Sequence, residues 1–96
     1  IEVPYIPESC KSIWAQFTLK HKDREEIQKN LNNIGIPTMV YYPVPMHLQK
    51  AYKKYYRGGL ENSEKLSKEV FSIPMYPDML IEDQKYIIEN IIKIVG

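Results

Sequence analysis

The side chains best suited to chemistry in this sequence are crowded into one proline-punctuated stretch, Gly35 to Tyr52. Tyr41 and Tyr42 lead into Pro43 and Pro45, His47 follows, and Gln49 lies two residues further on. Each proline fixes its own φ near about −65° and pushes the preceding residue towards extended backbone, so His47 is presented from a restricted chain. A loop offering phenol, imidazole and carboxamide groups has the hydrogen-bonding inventory for a polyhydroxylated ligand. A plain connector whose tyrosines merely pack fits the same pattern, and chemistry alone leaves the two readings balanced.

Elsewhere the inventory is thin. His21 stands between Lys20 and Lys22 at a strand-to-helix junction and reads as a solvated loop residue. His21, His47 and Cys10 lie far apart, without the short spacings of a metal site. Gly58-Gly59 lacks the other glycines and the Lys-Ser/Thr of a phosphate loop, and there is no G-x-S-x-G elbow. The acid pairs Glu25-Glu26 and Glu82-Asp83 fall in the first turns of helices, where the macrodipole favours them structurally. No catalytic residue and no metal are therefore assigned. The segment KAYKKYYRGG interleaves Lys50, Lys53, Lys54 and Arg57 with Tyr52, Tyr55 and Tyr56. That is the pattern of a stacking-plus-phosphate surface for a nucleotide or a single strand. An exposed turn with snorkelling lysines is the simpler reading, because the formal net charge is only +1.

The elements that must position these residues follow from periodicity. Ile13, Ala15, Phe17 and Leu19 alternate with polar or aromatic neighbours and predict a strand. Asp23 with Glu26 has capping-box spacing; Ile27, Leu31 and Ile34 give a helical face, and Gly35 stands at the C-cap position. A second strand is expected over Thr38 to Tyr42, ended by Pro43 and Pro45. A short helical piece follows around Leu48 to Tyr55. Asn62 or Ser63 is expected to cap a helix with Leu66 and Val70 as its buried stripe, supported by Glu61/Lys65 and Glu64/Lys68 pairs. Phe71 to Met75 predicts a third strand, placed at an edge or strand end by Pro74. A last helix is expected from about Glu82 to Val95, with Ile87, Ile88, Ile91, Ile92 and Val95 on one face and Ile81 as a poor cap. The order suits an α+β domain: a small, three-stranded, mainly antiparallel sheet with helices packed on one face.

Ninety-six residues, 44% apolar and 26% charged, suffice for one modest core. The lone Cys10 cannot form an internal disulfide, no run is long enough to span a bilayer, and a cytoplasmic protein is expected. The chain opens on Ile1 and runs into IEVPYIP, which reads as an extended connector. Residues 1–11 are thus expected to arrive from a larger upstream domain, and residues 12–96 to form a small domain. A processed N-terminus would look the same.

The run GIPTMVYYPVPMHLQKAY resembles the C-terminal signature of the DegT/DnrJ/EryC1/StrS family of sugar aminotransferases. WAQFTLKHKDREEIQKNLNNIGI before it and SEKLSKEVFSIPMYPDM after it resemble the family's flanking pieces in the same order, so the likeness covers about Ser12 to Val95. The resemblance implies a fold-type I enzyme dependent on pyridoxal 5'-phosphate (PLP), moving an amino group, usually from glutamate, to a nucleotide-linked keto sugar. It implies a larger N-terminal domain carrying the PLP lysine and most cofactor contacts, so this chain by itself is expected to be inactive. Substrate contact falls on His47 and Tyr42, then on Tyr41 and Gln49, with Ser72 to Met75 supporting a cleft wall. Relatives are commonly homodimers. Tyr76 stands where histidine is common in them, and Ile81 where serine or threonine is usual. The alternatives are a free-standing module binding nucleotide or single strands through residues 50–57, and a scaffold or dimerisation domain without a ligand.

Overall fold

The computed structural model describes residues 1–96. Five regular elements form, in the order β1 (Phe17–Lys20), α1 (Arg24–Asn33), α2 (Glu61–Glu69), β2 (Val70–Ile73) and α3 (Ile81–Val95). Two single 3-10 turns, Met46–Leu48 and Lys53–Tyr55, punctuate the segment between α1 and α2. β1 and β2 pair antiparallel, with Phe17 opposite Ile73 and Leu19 opposite Phe71. The alternation puts Leu19 and Phe71 on one face, where they meet Ile27 and Leu31 of α1, Ile36, and Ile87 and Ile91 of α3. The other face carries Thr18 and Ser72, whose hydroxyls hydrogen-bond at 2.9 Å. The helices α1 and α3 therefore cover one side of the sheet, as the pattern predicts.

The sheet has two strands rather than three. The expected strand over Thr38 to Tyr42 is reduced to a single bridge, in which Met39 exchanges both backbone hydrogen bonds with Ser72. In this register the next bonded pair on one side would be Pro37 with Pro74, neither of which has an N–H. On the other side it would be Tyr41 with Val70. The Val70 N–H already goes to the Leu66 carbonyl, and the Val70 carbonyl accepts from the Arg24 guanidinium. No residue pair that could exchange both ladder bonds is left in either direction. On the opposite edge Glu2 bridges Lys20, so part of the expected connector lies against β1.

β1 also starts later than its alternation suggests. Trp14 adopts a left-handed φ of 52°, and its amide donates to the Ser12 hydroxyl. The period of two breaks there, and Ile13 is left 92% exposed. The Trp14 ring instead stacks on Phe17, with centroids 5.0 Å apart.

The end of α1 follows its sequence closely. Gly35 has φ +80°, its amide donates to the Asn32 carbonyl, and the Ile36 amide donates to the Leu31 carbonyl. This is the paired bonding of a Schellman stop, with Leu31 and Ile36 both buried beneath it. The start differs. Asp23 makes no side-chain cap; its amide donates to His21 Nδ1 and its carboxylate turns towards the same ring, so the capping box does not form.

Helix α2 begins at Glu61, before Asn62 and Ser63 could cap it, because Gly58 and Gly59, both left-handed, deliver the chain directly into the first turn. Its buried residue is Ser67; Leu66 is 44% exposed and Val70 belongs to β2. On α3, Ile87 and Ile91 are buried and Ile94 and Val95 pack beside them, while Ile88 and Ile92 face outward. The apolar stripe expected from sequence is wider than the sheet beneath it.

Removing a large side chain from so small a core has a predictable cost. Phe71→Ala, at a residue 1% exposed, should lower unfolding stability by roughly 3–5 kcal/mol in a urea titration. Gly35→Ala should lose about 1–2 kcal/mol by backbone strain alone, since a Cβ there would meet nothing within 4 Å. A neutral effect at Gly35 would contradict the Schellman stop.

Candidate functional site

The prolines act as expected from their φ preference. Pro45 holds φ −57° and ψ 147°, and the chain then closes the Met46–Leu48 turn with the Leu48 amide donating to the Pro45 carbonyl. His47 sits at the centre of that turn. Its side chain is only 12% exposed, and its Nε2 lies 3.0 Å from Oε1 of Glu64 in the first turn of α2. The Tyr56 hydroxyl donates to the same oxygen at 2.8 Å. The imidazole and phenol rings lie 4.7 Å apart, tilted by 33°.

This cluster is electrostatically coherent. The hydrogen bonds from His47 and Tyr56 hold the Glu64 carboxyl below its ordinary value. The bond to Glu64 keeps the proton on the Tyr56 phenol and raises its pKa above 10.0. Glu64 is thereby drawn away from the expected pairing with Lys68. Neither that pair nor Glu61/Lys65 closes; the lysine that does pair with carboxylates is Lys20, with Glu2 and Glu69, while Glu64 is taken up by the hydrogen bonds from His47 and Tyr56.

The four residues expected to contact substrate do not share one surface. Tyr41, Tyr42 and Gln49 line a depression of about 440 Å³ with Pro43, Val44 and Lys50. His47 lines another, of about 450 Å³, with Met46, Tyr52, Tyr55, Tyr56 and Arg57. Tyr41 also borders a third cleft, of about 300 Å³, whose wall includes Thr38 and Ser72 to Tyr76. Gln49 reaches back to the Val44 carbonyl at 3.5 Å, which braces the loop across Pro45. The loop thus stands as a ridge with His47 on one flank and the two tyrosines on the other.

Glu64 and Tyr56 are the residues that sequence reasoning missed. The carboxylate had a plausible partner one turn along its helix, and Tyr56 was grouped with a basic patch. Only the 17-residue return of the chain brings both to His47. The basic patch itself is partly tied up: the Arg57 guanidinium donates to the Lys54 and Tyr56 carbonyls, and the Lys54 ammonium lies 5.0 Å over the Tyr55 ring.

Residues 1–92 match the DegT/DnrJ/EryC1/StrS aminotransferase family. The chain belongs to this family. It is 42% identical over 81 residues to a pleiotropic regulatory protein of Geobacillus stearothermophilus, covering 82% of the chain and 22% of the relative. It is 32% identical over 91 residues to a dTDP-3-amino-3,6-dideoxy-alpha-D-galactopyranose transaminase of Aneurinibacillus thermoaerophilus, covering 95% of the chain and 25% of the relative. A solved family aminotransferase from Brucella abortus superimposes with a TM-score of 0.92 at 39% identity, over 99% of this chain and 26% of that one. A Bacillus subtilis protein solved with bound cofactor PMP superimposes with a TM-score of 0.76 at 33% identity, over 85% and 20%. The chain therefore spans about a quarter of the length of the curated relatives it matches.

The cluster predicts a pH response. Because the folded state depresses the Glu64 pKa, its contribution is present above the ordinary carboxylate value of 4.5 and is lost as pH falls through the lower folded value. Tyr56 is shifted upward, so its contribution is present below 10.0 and is lost as pH rises through the folded value. Amide protection around Met46–Leu48, referred to the intrinsic exchange rate at each pH, should fall at both extremes, and Glu64→Gln should flatten both limbs. An unchanged profile in that variant would show that the cluster does not hold the loop.

Proposed function

We propose that this chain is the C-terminal small domain of a PLP-dependent aminotransferase that moves an amino group, from glutamate, to a nucleotide-linked keto sugar. The family match over residues 1–92 carries the proposal. The activity named for the Aneurinibacillus relative supports a nucleotide-linked sugar, and the PMP in the Bacillus structure supports the cofactor. Within this reading, residues 1–11 are the connector from a large upstream domain and residues 12–96 are the small domain. The whole enzyme works in the cytoplasm as a homodimer. His47, Tyr42, Tyr41 and Gln49 contact the sugar-nucleotide, with His47 meeting it from one flank of the loop and the tyrosines from the other.

The residues of this chain do not make a cofactor site by themselves. Every lysine is exposed except Lys20, and Lys20 is held by Glu2 at 3.0 Å and by Glu69. None is the desolvated, activated amine that a Schiff base requires. The surface also supports a domain that packs against more protein. Its accessible area is 7734 Å², against roughly 5,800 Å² for a compact monomer of its 11.4 kDa. Its radius of gyration is 15.5 Å, against about 12.5 Å for a compact chain of this length.

Two measurements test the proposal. The 96-residue chain mixed with PLP and reduced with borohydride should give no stoichiometric lysine adduct; one specific, stoichiometric label would overturn the division of labour. In the full-length protein, His47→Ala should slow transfer to a dTDP-linked 3-keto-6-deoxyhexose by roughly 10–100-fold while leaving the glutamate half-reaction intact. Unchanged sugar transfer would remove the loop from the site.

A further inference from the structure

Glu64 limits what His47 can offer a ligand. One carboxylate oxygen, Oε1, takes both His47 Nε2 and the Tyr56 hydroxyl. An ionised carboxylate has only lone pairs, and a neutral imidazole has one proton. A neutral His47 can therefore bond Glu64 only with its proton on Nε2. Nδ1 is then a bare acceptor. No group of the chain hydrogen-bonds it, and it is not sealed from solvent. The Tyr56 ring lies along one face of the imidazole, so both rings are registered from a single point on α2.

Glu64 is itself well held. It occupies the first turn of α2, where the helix terminus favours a negative charge, and its own carbonyl accepts from the Ser67 hydroxyl at 2.8 Å. The Lys68 charge one turn along adds to this.

We infer that Glu64, assisted by Tyr56, is a positioning residue that locks His47 in the Nε2–H tautomer, so that His47 meets its ligand as a hydrogen-bond acceptor and selects a sugar hydroxyl. The inference rests on the reading of His47 as a sugar contact and deepens it. A bare Nδ1 accepts from a hydroxyl but has nothing to give to a carbonyl or phosphate oxygen. His47 thus discriminates by the presence of an O–H at the position it faces, and it contributes nothing to holding the phosphates.

The test uses the full-length protein with nitrogen-15-labelled histidine, the His47 signals being identified by their loss in His47→Gln. The nitrogen shifts of wild-type His47 should show a protonated Nε2 and an unprotonated Nδ1. Glu64→Ala should shift them towards a mixture of tautomers. Glu64→Gln, whose amide can either accept from or donate to Nε2, should also populate the Nδ1–H form, and it serves if the alanine variant does not fold. An Nδ1–H tautomer in the wild type, or shifts unchanged in both variants, would overturn the inference.

A kinetic arm uses the same dTDP-linked keto sugar. Glu64→Ala should weaken its use about tenfold while the variant's circular dichroism spectrum, which reports an intact fold, is unchanged; Tyr56→Phe should have a smaller effect in the same direction. If His47→Ala impairs sugar transfer and Glu64→Ala does not, the positioning role falls and the sugar-contact reading stands. If His47→Ala has no effect either, the sugar-contact reading itself falls.

Discussion

Val70 has both of its backbone groups committed before the outer edge of the sheet can use them. Its N–H closes the last turn of α2 on the Leu66 carbonyl, and its carbonyl accepts from Arg24. Two consequences follow from this one junction. The chain after Met39 finds no ladder partner at Val70 and peels away from the sheet, which frees Tyr41 to Gln49 to form a loop. The helix α2 also runs into β2 with no connecting residue, so the pairing of β2 with β1 fixes the axis on which Glu64 is mounted. Arg24 closes the junction from the third side by donating to the Ser67 carbonyl as well. Its Nε is left buried without a partner, a penalty on the order of 1–3 kcal/mol that the two carbonyl bonds offset.

The loop released at one end of this junction is caught again at the other. His47 returns to Glu64 across 17 residues, and Tyr56 returns across eight. Neither bond crosses a fully dry interior, so their value lies in geometry more than in Coulomb energy. Two prolines limit the backbone, and one carboxylate oxygen limits the side chain. A loop that would otherwise be a flexible connector is thereby given a defined flank on each side. The tyrosine flank stays open, with Tyr42 78% exposed, whereas the histidine flank is braced.

The core that supports this arrangement is small. Seven apolar residues are buried, all on the face of the sheet covered by α1 and α3. The opposite face carries the Thr18–Ser72 hydroxyl pair and opens onto the cleft bordered by Tyr41 and Tyr76. Ile88 and Ile92 of α3 and Leu66 of α2 remain outside the core.

Local pattern by itself determined the existence of the three helices, the glycine stop after α1, the alternation that puts Phe17 and Leu19 on one face and the prominence of the proline loop. These depend on residues within a few positions of one another, where propensity and periodicity act directly. Three family-like segments in order also mark the family, because sequence carries that likeness independently of the contacts. The tertiary structure decided the rest. It reduced the middle strand to one bridge, since the availability of the Val70 N–H and carbonyl depends on Arg24 and Leu66, distant in sequence from Tyr41. It exposed half of the isoleucine stripe of α3, since a two-stranded sheet is too narrow to cover it. It also turned Glu64 from Lys68 towards His47, because a carboxylate follows the donors that the fold brings within reach, and chain spacing does not encode that meeting.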